Sequence, residues 1–258
     1  MKKKYSRQGV FASIGLSLIF FALYFILQVL SIYLVSLLVP NTEYIDQMTI
    51  QLSIISSCIT VLAFAALYRA AGLSFTKEAY LNKAPGRFYI NTVIMGVSTA
   101  FAIALVLGLV EMSGIIPDSW VQAQNDTYSD VNAASPLMKF LSVGLMAPIV
   151  EEILFRGLIL GTLKKNMHPW IAILLSALLF GVAHGTPIGI IYATGLGILM
   201  GWLFVKFNSI LPVMVFHIAY NCTVAYSEGI SLPVAIISIP ILVFEIIDIK
   251  RYYRGKQK

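Results

Sequence analysis

Charge is scarce in this sequence. Of its 258 residues, 12% are Asp, Glu, Lys or Arg, about half the share that a soluble globular domain carries. That excludes a water-soluble globule of this length. Cysteine is scarcer: Cys58 and Cys222 are the two in the chain. Both fall inside apolar runs, where buried free thiols are expected rather than a disulfide or a thiolate metal site. Three histidines occur, and no HExxH, so the compact zinc-protease signature is missing. No internal repeat or low-complexity tract is found, which argues against a proton-coupled transporter built from repeated halves.

What fills the chain instead is apolar: 59% of residues are hydrophobic. Apolar runs long enough to cross a bilayer alternate with short polar loops. Spans are expected at about 11–39, 48–70, 88–114, 136–163, 169–186, 188–206, 209–227 and 231–249. The predicted fold is all-α: a polytopic membrane helical bundle of about eight transmembrane helices in one integral membrane domain, 1–258. The apolar run after Lys2, Lys3 and Lys4 is too long for a signal-peptide core, so it reads as a retained first span.

The net charge of +6 is topological. Counted loop by loop, every basic residue but Lys139 falls on one side of this arrangement, including Lys2, Lys3, Lys4, Lys256 and Lys258. Glu43, Asp46, Glu111, Asp118, Asp126, Asp130 and Glu228 fall on the other. The positive-inside rule then puts both termini in the cytoplasm. The partner implied is the lipid bilayer, with some attraction to anionic lipid, and no nucleic acid. The outer loop 115–135 reads as a polar linker before a lid, and 72–87 as a short interfacial helix.

Ionisable residues inside the membrane are costly and mark function by default. The deep ones are Glu151, Glu152, His184 and His217; Arg156, Glu245 and Asp248 lie nearer span ends. Glu245 and Asp248 are expected to snorkel or pair with the basic tail, Lys139 to anchor at the interface, and His168 to be solvated. Glu152 and Arg156 are four apart and can pair on one helix face. Glu151 points about 100° away and is left needing a partner, a proton or a water. A purely structural reading, an ion pair pinning two helices, accounts for Glu152 and Arg156 but not for Glu151.

Two chemistries fit this set. Glu151, His184 and His217 make a two-histidine, one-carboxylate group of the kind that binds zinc, with Glu152 behind it. Alternatively Glu151 takes a proton from water, a histidine orients that water, and His217 and Asn221, one turn apart, donate to an oxyanion. By counting, His184 lies nearer the outer end of its span than Glu151 does. A kink at Pro148 or an early break at "HGTPIG" would bring them level.

"EEILFRG", "FGVAH" and "HIAYN" match EExxxR, FxxxH and HxxxN motifs in order on successive helices. In this the chain resembles the CPBP family (CAAX protease and bacteriocin-processing, also called Abi) of intramembrane endopeptidases, which includes the type II CAAX prenyl endopeptidases. The resemblance covers about residues 136–226 and makes them the catalytic core. It implies Glu151 as water activator, Glu152 and Arg156 completing the first motif, Phe180 and His184 the second, and His217 and Asn221 the third. It leaves metal-free catalysis and Zn2+ both open, the metal set being Glu151, His184 and His217.

The expected function is therefore hydrolysis of a peptide bond in a membrane-associated peptide or a lipidated or transmembrane protein, in a bacterial plasma membrane. Bacteriocin or pheromone processing, self-immunity and CAAX-type processing are the roles the family offers. A non-enzymatic immunity or regulatory protein is the rival reading, and a proton-coupled transporter the third.

Overall fold

The computed structural model describes residues 5–37, 48–227 and 231–255. The loop charges expected at Lys2, Lys3, Lys4, Glu43, Asp46, Glu228, Lys256 and Lys258 lie outside the described residues. Among the described residues the fold is helical throughout, without a strand.

Eight helical segments occupy the eight expected places. They are α1 (Arg7–Ser36), α2 (Thr49–Ala70), α4 (Arg87–Met112), α6 (136–166), α7 (Pro169–Val182), α8 (Pro187–Phe207), α9 (Leu211–Tyr226) and α10 (Leu232–Gly255). Of these, α1, α2, α4, α8 and α10 are long and apolar enough to cross a membrane; α7 and α9 are shorter apolar helices. The protein is a multi-pass membrane protein. Two further helices, α3 (Phe75–Glu78) and α5 (Asp118–Ala133), lie in the connections.

Local chemistry sets the ends. Ser6 caps α1 by accepting from the Gly9 N–H at 3.0 Å. The Thr186 hydroxyl caps α8 by accepting from Gly189 N–H, also at 3.0 Å. Proline opens α7 and α8, where its missing N–H is no loss. Asn208, in the left-handed region at φ 50°, closes α8.

The centre of the bundle is α6. Every residue from Glu152 to Leu160 is buried, packed against α1 and α7. Outside it, α1, α2 and α10 turn large apolar side chains such as Phe11, Leu62 and Phe244 outward, as a lipid solvent permits. At Gly96 on α4, an added Cβ would collide with the Phe216 carbonyl and come within 2.9 Å of the Ala219 Cβ. That glycine lets α9 lie against α4, and so sets the position of His217.

Several loop and end expectations change. The outer loop is not a linker but the 16-residue helix α5. The 72–87 segment holds only the four-residue α3 and then docks inward: Ala79 is fully buried, and the Tyr80 carbonyl accepts from Ile210 N–H at 3.1 Å. Among the described residues, Glu245 and Asp248 pair with α4 rather than with the tail. Asn91 Nδ2 donates to Glu245 Oε2 at 2.5 Å, and Arg87 pairs with Asp248, so both acids bind α4. Cys58 is exposed rather than buried, Cys222 is intermediate, and both are free thiols. Arg156 is not near an end in any energetic sense; it is among the largest fully buried side chains.

Candidate active site

The site is built on an irregular stretch of α6. Two π-helical segments, Phe140–Met146 and Glu152–Leu160, flank the short α-helical Ala147–Glu151. Pro148 sits in that α-helical turn. Proline cannot donate to the ladder, and the N–H of Ala147 beside it reaches five residues back to the Ser142 carbonyl. Wide π turns inside helices occur frequently at functional sites; here Glu151 closes the α-helical turn and Glu152 opens the second π segment.

Glu152 is fully buried and binds two partners through one oxygen. Its Oε1 accepts from Arg156 Nη1 at 2.8 Å and contacts His217 Nδ1 at 2.9 Å. The guanidinium of Arg156 lies over the Phe180 ring, 4.3 Å from its centroid. The oxygen that accepts from Arg156 also faces the imidazole, and with Oε1 as the acceptor His217 donates from Nδ1. Its Nε2 then faces Glu151, 3.7 Å from Oε2. Glu151 keeps 20% side-chain exposure, enough for water. Glu152 Oε2 and Arg156 Nη2 are buried without a hydrogen-bond partner, so this knot retains polar capacity at its edge.

Phe180 joins the second motif to the other two. Its ring meets His184 edge-on at 4.7 Å and His217 at 5.9 Å between centroids. His184 lies beyond the end of α7, one residue before Gly185, whose φ is +73°. The helix therefore does break early at "HGTPIG". His184 Nδ1 lies 2.9 Å from the Phe180 carbonyl, an arrangement in which Nδ1 donates and Nε2 is left free. Asn221 is tied elsewhere: its Nδ2 donates to the Val143 carbonyl at 2.7 Å, in the first π segment. The amide has a second N–H, so that bond does not consume its donor capacity.

The structure thus groups Glu151, Glu152, Arg156 and His217 by direct contact, brings His184 to them through Phe180, and anchors Asn221 on the α6 backbone. The sequence reading paired Glu152 with Arg156 alone; its contact with His217 across helices was not foreseen. Nor was the roof. Tyr128 Oη on α5 lies 3.0 Å from Tyr192 Oη on α8, and Gln124 hydrogen-bonds Thr186. Burial, reinforced by the charge of Glu151, pushes the Tyr128 phenol above its ordinary pKa, while the bond with Tyr192 works the other way. Val121, Ala123, Gln124, Tyr128 and Val131 are the half-buried positions of α5. Among them, Val121, Gln124, Tyr128 and Val131 follow a 3-4-3 spacing, a helical signal that could have revealed it.

For a metal, the fit is incomplete. His217 is held at Nδ1 by a carboxylate, as metal-binding histidines usually are. Yet among the described residues no three His, Cys, Asp or Glu side chains are grouped to hold an ion.

Residues 133–223 match the family model described as "Type II CAAX prenyl endopeptidase Rce1-like". A protein of Bacillus subtilis (strain 168), named "Putative membrane peptidase YdiL", is 32% identical over 99 residues. That alignment spans 38% of this chain and 40% of the relative. No solved structure matches.

Proposed function

We infer that this chain, whose residues 133–223 belong to the CAAX protease (CPBP) family, is an intramembrane endopeptidase acting by glutamate-activated water. One observation carries the reading. Of two adjacent glutamates, Glu152 is buried and committed to Arg156 and His217, while Glu151 stays partly exposed beside His217 Nε2. The first is an orienting group and the second a free base.

A water between Glu151 Oε2 and His217 Nε2 donates one proton toward each. Glu151 takes its proton as the water oxygen attacks the scissile carbonyl carbon. The carbonyl π pair moves to oxygen, and the second N–H of Asn221, one helical turn after His217, donates to that oxyanion. Collapse of the tetrahedral species expels the amine, which takes the proton from Glu151. Glu152 keeps the His217 ring in one tautomer and orientation throughout.

Substrate reaches this point from the membrane. A cavity of about 270 Å³ is lined by Tyr24 and Gln28 of α1, Ser53 of α2, Asp130 of α5, and Ser142 and Val150 of α6. Val150 of that lining directly precedes Glu151 in the chain. Ile50, Val131 and Val143 also line it, and this mixture of hydroxyl, amide and apolar groups suits an extended peptide. We assign it a membrane-associated peptide or membrane-protein segment, in a bacterial plasma membrane with both termini cytoplasmic.

The test uses Glu151→Ala, His184→Ala and His217→Ala in proteoliposomes with a membrane peptide that the wild-type chain cuts. Each is expected to abolish cleavage with folded protein unchanged. Wild-type cleavage by the Glu151 variant would refute the reading.

A further inference from the structure

At the end of the bundle away from α5, a second cavity of about 370 Å³ has a different character. It is lined by Trp170, Trp202, Lys206, Lys250, Tyr253 and Arg254, so three helices, α7, α8 and α10, contribute. Three cations converge there, and among the described residues no carboxylate lines it. Lys250 Nζ lies 5.9 Å from the Trp202 ring centroid.

This convergence is not a by-product of a generally basic tail. On α10, Glu245 and Asp248 share the face that binds Asn91 and Arg87 of α4. Lys250 and Arg254, four apart, share a different face, about half a turn away. The helix therefore spends its acids on α4 and turns its cations into the cleft unneutralised. Like charges four apart on a helix are mutually destabilising, and Lys206 from α8 adds to them. A bound anion relieves this. Trp and Tyr rings are the side chains that settle at the headgroup level of a bilayer, and Trp170 is half exposed there.

We propose that this cleft binds the phosphate of an anionic phospholipid headgroup, with Lys206, Lys250 and Arg254 on the phosphate and Trp170, Trp202 and Tyr253 against the glycerol and upper acyl chains. A free phosphate has the same chemistry for the cations but nothing for the rings to cover, so the lipid is the occupant the lining favours.

The full chain in vesicles of phosphatidylcholine mixed with phosphatidylglycerol provides the test, read by mass spectrometry of lipids retained on the intact protein. The variant is Lys206→Gln/Lys250→Gln/Arg254→Gln. A control triple, Arg69→Gln/Lys77→Gln/Lys83→Gln, removes the same charge from exposed positions outside the cleft. The cleft triple is expected to lose preference for phosphatidylglycerol over phosphatidylcholine by about 10- to 100-fold, with thermal unfolding and peptide cleavage showing that it still folds. The control is expected to retain it. Equal loss in both triples, or in neither, would overturn the site. Displacement of the retained lipid by millimolar inorganic phosphate would identify free phosphate as the ligand and overturn the lipid assignment.

Discussion

His217 Nδ1 lies 2.9 Å from Glu152 Oε1, across 65 residues of sequence, with both side chains buried. The same oxygen holds Arg156. Glu152 is thus the hub of a buried charge network, and its neighbour Glu151 is not. The two should fail differently. Glu152→Ala strands the Arg156 guanidinium in the core, at a cost of about 3–5 kcal/mol. Glu151→Gln leaves the network intact and should cost less than about 1 kcal/mol. Thermal unfolding in detergent checks this; equal loss of stability in the two variants would contradict the division of roles.

Gly96→Ala should lower both stability and cleavage. The new methyl meets the Phe216 carbonyl, next to His217, and overpacking of this kind costs about 1–3 kcal/mol. Gly15→Ala on α1, where a Cβ meets nothing within 4 Å, should be neutral in both assays. A harmless Gly96→Ala would show that α9 has room to move without disturbing His217.

The roof helix makes a separate prediction. Tyr128→Phe removes the hydroxyl that meets Tyr192 and should loosen α5 by about 1 kcal/mol. Amide exchange across 118–133 should then speed up about fivefold, with α6 unchanged. No change in exchange would mean that α5 is held by its other contacts alone.

Chelation bears on the chemistry. Because no three ligating side chains are grouped among the described residues, dialysis of active protein against a strong chelator should leave cleavage within about twofold. Stoichiometric zinc lost together with activity would replace water activation by Glu151 with metal chemistry.

Much of this was readable in the sequence, for a definite reason. Helical spacing reports which residues of one helix share a face, so the Glu152–Arg156 pair and the separateness of Glu151 followed from three and four residue intervals. Apolar run length reported the eight segments. Neither signal says which helices become neighbours. The contacts of His217 with Glu152, and of Arg87 and Asn91 with Asp248 and Glu245, join helices distant in sequence. Nor does composition tell a polar helix from a polar linker unless its spacing is examined: α5 holds Trp120, Val121, Tyr128 and Val131 among twelve polar or small residues. The π-helical turns left no local signal beyond Pro148.

The central claim is that Glu151 activates the water that cuts a peptide bond. Membranes from cells expressing the wild-type chain or Glu151→Gln, matched for folded protein, can be compared by mass spectrometry of peptide termini. Incubating the isolated membranes in 18O-labelled water marks each C-terminus made during the incubation. The wild type should produce one or more labelled termini from membrane-associated peptides, and Glu151→Gln should reduce them by about 100-fold or more. The same labelled termini at wild-type abundance in Glu151→Gln would contradict the account.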